Sequence, residues 1–187
     1  MTSSDEFKRA MRHLASGVAV IATEHEGRRA GLAATAVCSV SAEPPTILAC
    51  VNARSSAHGP IRDSGRFSVN LLSSDQNGIA RRFSGENGVK GEERFAEGTW
   101  TRSRTGAPIL ADALASLDCD LVDVVSMATH SVFFGAVAAV STRSAASPLM
   151  YLQGDYRTFG PSGAGLWRRL DGWRPRSRKV ASTGCRA

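Results

Sequence analysis

The sequence has no apolar run of the roughly 18 residues that a membrane-spanning helix needs. Its first residues, MTSSDEFKRAMRH, are polar and charged, unlike a secretory signal. We therefore expect a cytoplasmic protein with no membrane partner. The 187 residues, 42% of them hydrophobic, are enough for one domain with a buried core.

Paired cysteines and metal-binding motifs are also missing. The four cysteines show no CxxC spacing, and three of them, Cys38, Cys50 and Cys119, lie in apolar, strand-like runs. This pattern favours buried free thiols in a reducing compartment over disulfides or a zinc site. The four histidines form no HxxxH or HExxH pair, so we expect no metal site.

No motif of a nucleophilic enzyme or of a nucleotide-binding loop is present. The sequence lacks GxSxG, a Walker A lysine and a GxGxxG that opens a helix after a strand. Hydride transfer between two cofactors needs no protein nucleophile, because the protein supplies only orientation and a dry surface. The absences therefore leave this class of reaction open.

The net positive charge of the chain comes from its last 27 residues. Seven of the 23 Lys and Arg residues lie in residues 161–187 with one acid, Asp171, so this segment accounts for the net charge of +6. Residues 1–160 are neutral overall, and nucleic acid is not an expected ligand of that part. We predict a domain over 1–160 and a basic, partly disordered tail over 161–187.

Short strands dominate the predicted structure. Alternating or β-branched stretches predict strands at 18–24, 31–41, 46–52, 66–72, 114–125 and 130–140, and a last one in PLMYLQGDYR. The strands at 114–125 and 130–140, separated by a short turn, are predicted to form a hairpin. Many strands with few helices favour an antiparallel barrel or sandwich.

Two helices and one long connection complete the prediction. A capping box of Ser3 and Glu6 opens an amphipathic helix of about three turns, with Gly17 as its stop. A second helix begins at Ser74 or Asp75 in SDQNGIARRFSG and ends at Gly85. Residues 84–106 are rich in Gly, Glu and Arg and predict a long polar connection.

The stretch GLAATAVCSVSAEPP, residues 31–45, is unusual because its side chains are nearly all small. In a single strand, the apolar even positions from 32 to 40 would face a core, and the small, partly hydroxylic odd positions would face away. Such a face lets a flat ring approach the backbone. An edge strand with a solvated outer face gives the same pattern.

Three further features suggest a ligand, and each has a plain structural alternative. Asn52 to Ser56 offers hydroxyl and amide groups for a phosphate, or an ordinary helix cap at Ser55 or Ser56. A second feature is the pair of cations beside an aromatic ring in Arg81, Arg82 and Phe83. The plain alternative is a helix whose arginines face solvent and whose phenylalanine lies in the core. His130 precedes VFFG, where a lone histidine is usually structural.

In their order along the chain, the segments FKRAMRHLASGVAVIAT, GLAATAVCSVSAEPP, ARRFSG, GAPIL, HSVFFGAV and PLMYLQGDYR resemble the flavin reductases of two-component monooxygenase systems. The resemblance runs from about Phe7 to Arg157. It implies an FMN-binding split β-barrel of the Greek-key type and a homodimer. It also implies reduction of FMN or FAD by NADH or NADPH, with release of the reduced flavin to a partner monooxygenase.

The resemblance also implies roles for individual residues. Those that line the flavin ring and ribityl chain would be Ala34, Thr35, Ala36, Cys38 and Ser39. Those that hold the phosphate would be Asn52, Ser55 and Ser56. Those that close the site would be Arg81, Arg82 and Phe83. Those near the nicotinamide would be His130, in the catalytic role, with Tyr156 and Arg157.

One departure from the family concerns the turn before the histidine. The usual Gly-Asp-His reads Ala128-Thr129-His130 here, so the acid that could orient the histidine is missing. This keeps open a flavin-retaining oxidase or oxygenase of a biosynthetic pathway. A non-catalytic flavin-binding module with a partner-docking tail is the third hypothesis. The sequence does not decide between FMN and FAD or between NADH and NADPH.

Overall fold

The computed structural model describes residues 2–143 and 146–158, apart from the Asn87 side chain. Within these residues the α-helices are α1 (Ser4–Met11), α2 (His58–Ser64) and α3 (Asn77–Ser84). The strands are β1 (Ser16–Gly17), β2 (Ala19–His25), β3 (Arg28–Ala34), β4 (Val37–Ala42), β5 (Pro45–Asn52), β6 (Arg66–Leu71), β7 (Trp100–Arg102), β8 (Pro108–Leu110), β9 (Ala115–Met127), β10 (His130–Thr142), β11 (Met150–Leu152) and β12 (Asp155–Arg157). Across this described part, none of the helices has the length and apolar character needed to cross a membrane.

The main sheet has seven antiparallel strands in the order β3-β2-β6-β9-β10-β5-β4. Two smaller sheets, β1-β11-β12 and β7-β8, pack beside it. The prediction of a mainly β fold with few helices is confirmed. The strand order is open at β3 and β4, and closure into a Greek-key split barrel stays a prediction. The predicted tail, 161–187, lies outside the described residues.

The predicted single strand over 31–41 is wrong, because the chain forms two strands at opposite edges of the main sheet. β3 ends at Ala34 and β4 begins at Val37, so the alternation of faces is reset between them. Val37 packs against the core, whereas Cys38 and Val40 are exposed. The expectation that every even position from 32 to 40 faces the core therefore fails after Ala34.

Two hydrophobic clusters lie on opposite faces of the main sheet, and β2 contributes to both. Val20 and Ala22 face the cluster that includes α3, while Ala19 and Ile21 face the cluster that includes α2. Six of the seven residues of β2 are buried, because both of its faces are covered. β3 pairs with this buried strand along its whole length, so its position is fixed by β2.

The predicted helices exist with shifted ends. The capping box of Ser3 and Glu6 is confirmed, but α1 ends at Met11 rather than near Gly17. None of the residues of α1 is buried, and Phe7 is 61% exposed. α3 follows a short 3₁₀ turn at Ser74–Gln76 and ends at Gly85, whose φ is 85°, a left-handed conformation that favours glycine.

The predicted hairpin of 114–125 and 130–140 is confirmed as β9 and β10, joined by Ala128 and Thr129. The predicted last strand is wrong in one respect, since PLMYLQGDYR folds into the two short strands β11 and β12. Their turn, Gln153-Gly154, has φ angles of 55° and 87°. This β11–β12 hairpin is therefore a tight, separate element.

The long connection after α3 is more ordered than its composition indicates. It contains 3₁₀ turns at Glu86–Gly88 and Gly91–Ala96 and the strand β7. Phe95 and Trp100 pack on Phe83, with ring centroids 5.0 Å and 5.4 Å from it. The aromatic contacts anchor this connection to α3.

The face of β6 that carries polar side chains is buried. Ser68 and Asn70 have no exposed surface, and the Asn70 Oδ1 accepts hydrogen bonds from the Leu110 N–H and the Ser116 hydroxyl, each at 2.9 Å. These bonds attach β8 to the main sheet and satisfy the buried amide.

Candidate functional site

A cleft of about 530 Å³ lies where β3 ends, and we call it the hairpin cleft. One wall consists of Val18, Ala33, Ala34 and Thr35. The opposite walls come from the end of α3, including Arg81 and Ser84, and from the β11–β12 hairpin. The small side chains of Ala33 and Ala34 leave the space open on the sheet side.

The position of this wall follows from the crossing between the two sheet edges. Thr35 and Ala36 lie between β3 and β4 and are exposed. The Cys50 N–H donates a hydrogen bond of 2.9 Å to the Ala36 carbonyl, which fixes the crossing beside the end of β5. Ala34, Thr35 and Ala36 therefore border open space, as the sequence predicts for this stretch.

Gly31, in the same stretch, is small for another reason. A Cβ built on Gly31 would lie 2.8 Å from Phe83 Cε1 and 3.0 Å from the Ile21 carbonyl oxygen. The protein's own core thus occupies that position. The small residues serve two purposes, with core packing at residue 31 and an open wall at residues 34–36.

A second cleft of about 380 Å³ adjoins the first, and we call it the helix cleft. α1 supplies Phe7, Lys8 and Met11 to its wall, and Thr35, Tyr151 and Gly154 line both clefts. The Gln153 N–H donates a 2.9 Å hydrogen bond to the Arg12 carbonyl, which ties the β11–β12 hairpin to the end of α1. The two clefts form one groove over the Thr35 crossing.

Arg81 and Tyr156 stand together on the far side of the hairpin cleft. The Arg81 guanidinium lies 5.3 Å from the centroid of the Tyr156 ring and 3.0 Å from Glu86 Oε1. Burial raises the pKa of the Tyr156 phenol, and a hydrogen bond with the Ser84 hydroxyl opposes this rise. The wall thus offers a cation and a neutral aromatic ring to a ligand.

A third group of residues lies at the end of β5 and the start of β10, and we call it the histidine rim: Asn52, Ser55, Thr129 and His130. Asn52 and His130 are direct partners across the two strands. The Ala53 N–H donates to the Thr129 carbonyl at 3.0 Å, and the Ser55 N–H donates to the Asn52 carbonyl at 2.9 Å. The rim is contiguous with the crossing through Cys50 and Ala36.

The predicted cap at Ser55 or Ser56 is wrong by one residue, because Ala57 is the N-cap of α2 and makes no side-chain cap. The Ser55 hydroxyl accepts a 3.3 Å hydrogen bond from the Ala57 N–H instead. Ser56 is exposed in the same loop. Both hydroxyls therefore remain beside Asn52, on the loop that the sequence singles out.

Nine predicted site residues lie outside the walls of the two clefts, and four of these, Asn52, Ser55, Ser56 and His130, belong to the histidine rim or its loop. The other five line neither the clefts nor the rim. Phe83 is 1% exposed and belongs to the core, and Arg82 donates to the Glu93 carbonyl at 2.8 Å and 3.0 Å. Arg157 is exposed and pairs with Asp155 at 3.5 Å. The remaining two, on β4, are Cys38 and Ser39. The expected closing role of the Arg-Arg-Phe motif thus fits only Arg81 by position.

The contribution of α1, Tyr151 and Gly154 to the groove was not predicted from the sequence. The glycine in Gln153-Gly154 is a signal for a tight hairpin turn, and it would have predicted two short strands here instead of one. In the ranges 2–143 and 146–158, no group of three or more His, Cys, Asp or Glu residues could hold a metal ion.

Comparison with known proteins adds a family to this geometry. Residues 11–160 match the flavin reductase like domain. The chain is 46% identical over 152 residues to FMN reductase (NADH) RutF 1 of Methylorubrum extorquens, covering 81% of this chain and 75% of that protein.

Two solved structures are similar in fold. The flavin reductase PheA2 has a TM-score of 0.78 and 29% identity, over 86% of this chain and 100% of that one. BorF, the flavin reductase component of a bacterial two-component tryptophan halogenase, has a TM-score of 0.78 and 28% identity, over 85% of this chain and 99% of that one.

Proposed function

The chain belongs to the flavin reductase like family, and on this premise we propose that it is an NADH-dependent reductase of FMN that binds its flavin in the hairpin cleft. The name of the RutF relative supports both the flavin and the hydride donor. The observation that carries the proposal is the open wall of Ala33, Ala34 and Thr35 opposite Arg81 and Tyr156.

The residues present fit a flavin. A volume of about 530 Å³ lies within the range of roughly 300–1,000 Å³ that is typical of small-molecule pockets. Alanine side chains allow a flat ring to approach the backbone of β3, where N–H and carbonyl groups can pair with ring heteroatoms. A strand with larger residues at 34–36 would close this space.

Polar groups on the Asn52 loop and on the wall of the hairpin cleft suit the flavin's polar parts. Asn52, Ser55 and Ser56 offer amide and hydroxyl donors to the phosphate, and Ala36 connects them to the cleft. Arg81 supplies a cation near the ring, although Glu86 partly neutralises it. These groups orient the flavin and need no covalent contact with it.

Bound flavin supplies the acceptor for the hydride of NADH. His130 would position the nicotinamide over the flavin ring, and the apolar side chains of the groove would keep water from the ring face that lies against them. The protein needs no nucleophile for this role, which agrees with the absence of nucleophile motifs in the sequence.

The test is NADH oxidation, followed by absorbance, with and without added FMN. We expect catalytic oxidation that depends on FMN, and a drop of at least about tenfold, equivalent to about 1.4 kcal/mol, in kcat/KM for Thr35→Phe. Thr35 is exposed and lines both clefts, so the larger ring fills the groove without entering the core. Thr142→Phe, at the exposed far end of β10, is the matched control. A rate of NADH oxidation that does not depend on FMN would contradict the proposal. An equal loss of kcat/KM in Thr35→Phe and Thr142→Phe would also contradict it.

We also propose that the protein is a homodimer through the outer face of β4, β5, β10 and β9. Strand alternation and register place Leu48, Val132 and Val125 on this face, opposite the core residues Phe133 and Ala49. Val122 is 57% exposed and Met127 66% exposed. A sheet face that exposes several neighbouring apolar side chains is typical of a subunit interface. Sedimentation should give twice the mass of the chain, and a monomer at micromolar concentration would overturn the assignment.

A partner that consumes the reduced flavin completes the proposal. The name of BorF, a component of a two-component halogenase, supports a flavin-dependent monooxygenase as this partner. The groove is open at its surface, which permits release of the flavin after reduction. We expect rapid transfer of reduced FMN to an added monooxygenase. The fraction of reduced FMN that dissolved oxygen oxidises should not exceed the fraction oxidised in a solution of free reduced FMN.

A further inference from the structure

Thr129 makes a direct side-chain contact with His130. Its Oγ1 lies 2.8 Å from the His130 Nδ1, within hydrogen-bond distance. The contact occupies one of the two ring nitrogens, and Nε2 is the nitrogen that remains for a ligand. A histidine whose Nδ1 is engaged in a hydrogen bond has a restricted ring orientation.

The backbone of the same residue holds the neighbouring loop. The Thr129 carbonyl accepts the 3.0 Å hydrogen bond from the Ala53 N–H, directly after Asn52. Asn52 is in turn the strand partner of His130. Thr129 thus fixes the histidine through its hydroxyl and the Asn52 loop through its carbonyl.

The hydroxyl achieves this without charge. It can donate to Nδ1 or accept from it, whereas a carboxylate only accepts and stabilises the charged imidazolium. The neighbours of His130 across the strands are Asn52 and Met127, neither of which titrates. Arg54 follows in the Asn52 loop, and His58 of α2 bonds to the Ser131 hydroxyl at 2.9 Å. The charged and titratable side chains on these neighbouring segments, Arg54 and His58, are therefore basic groups.

We propose that Thr129 is a positioning residue for His130, and that its hydroxyl takes the place of an acid in orienting the imidazole toward the nicotinamide. The catalytic consequence rests on the proposed NADH-dependent function. The orientation itself is a property of the two side chains and is measurable without substrate. This makes the two parts separable.

The kinetic test compares Thr129→Val, which removes the hydroxyl at nearly constant shape, with Thr129→Ser, which keeps it. We expect Thr129→Val to raise KM for NADH by about three- to tenfold, the effect of one lost hydrogen bond, with KM for FMN changed less than about twofold. Thr129→Ser should restore most of the loss. Thr142→Val, the same change about 40 Å away at the other end of β10, should have no effect.

A double-mutant cycle shows whether Thr129 acts through His130. In the His130→Ala background, Thr129→Val should have no further effect on KM for NADH. Additive effects would overturn the proposal, because they would show that Thr129 acts independently of the ring.

Nitrogen NMR of the histidine rings provides a readout that needs no activity. With the His130 signal assigned by its loss in His130→Ala, Thr129→Val should change the ring ¹⁵N shifts toward those of a free imidazole, and Thr129→Ser should not. Unchanged shifts in Thr129→Val would overturn the proposal. If the wild-type protein does not oxidise NADH with FMN, the proposed function fails, and the NMR result still decides the role of Thr129.

Discussion

The two faces of β10 both carry apolar side chains, but one face is buried and the other is partly exposed. On the inner face, Phe133 is 1% exposed and Gly135 is buried against Phe67. On the outer face, Val132 and Phe134 keep part of their surface exposed, beside the exposed Met127 of β9. The inner face finds its contacts within the chain. The outer face is also apolar but keeps part of its surface exposed in the single chain, so apolarity alone does not locate the core.

The largest effect should come from the inner face. Phe133→Ala removes a ring that the α2 cluster fully surrounds, and we expect a loss of about 3–5 kcal/mol in the free energy of unfolding. Urea denaturation measures this. The same truncation on the outer face, Phe134→Ala, should cost less than half as much in the monomer. Equal losses would remove the distinction between the faces.

Gly135 tests how tightly the inner face is packed. A Cβ there would lie 2.6 Å from Phe67 Cζ and 2.9 Å from Cys119 Cβ, so Gly135→Ala should destabilise the protein by about 1–3 kcal/mol. Gly59→Ala is the control, because its Cβ would meet no atom closer than 3.9 Å and lies in α2. That variant should be neutral or slightly stabilising in urea denaturation. Tolerance of alanine at 135 would show a looser core than described.

A charge on the outer face should affect assembly rather than folding. Val125 is 42% exposed, and Val125→Asp should convert the proposed dimer to a monomer in sedimentation. It should change the free energy of unfolding of the monomer by about 0.5 kcal/mol or less. Ala111→Asp, at an exposed position after β8, should remain dimeric. A Val125→Asp protein that stays dimeric would place the interface elsewhere.

The alkylation rates of two cysteines should differ in the same way, because Cys119 is buried and Cys38 is exposed. Burial, with added effects of Asp118 and Asp120, raises the pKa of the Cys119 thiol to about 12, whereas Cys38 is exposed on β4. Because the thiolate is the reactive form, alkylation near pH 8 should be at least ~10-fold slower at Cys119 than at Cys38. Peptide mass spectrometry resolves the two sites. Cys38 should react faster in Val125→Asp than in the dimer, and Cys119 should be slow in both.

The raised pKa of Cys119 also gives a pH dependence of stability. Above about pH 9 the unfolded chain loses this proton while the folded chain keeps it, so the stability contribution is present below pH 9 and is lost as pH rises toward about 12. Cys119→Ala should lessen the alkaline fall in the free energy of unfolding, and Cys38→Ala should not. Urea titrations at several alkaline pH values compare the two. Parallel curves would contradict the assigned burial.

Local patterns predicted the elements whose signals are local. The capping box at Ser3 and the glycine at 85 fixed the ends of helices correctly, and alternation found the β9–β10 hairpin. The small-residue stretch predicted the open space beside Ala34 and Thr35, and Asn52 and His130, which the resemblance assigns to the site, are direct strand partners.

Features that depend on distant partners were not predictable. The break at Thr35 carries no Gly or Pro, because it results from a crossing between sheet edges rather than from a turn motif. Asn70 is buried because its partners, Leu110 and Ser116, lie 40 and 46 residues further along the chain. Phe83 faces the core because Phe95 and Trp100 return from the connection to meet it.

The most direct test of the central claim is an FMN titration of the wild-type protein and of Thr35→Phe, followed by the change in flavin fluorescence. Wild-type protein should bind one FMN per chain, and Thr35→Phe should bind at least about tenfold more weakly, with Thr142→Phe unchanged. Absence of FMN binding by the wild type, or equal affinity in Thr35→Phe, would show that the groove beside Ala34 and Thr35 is not the flavin site.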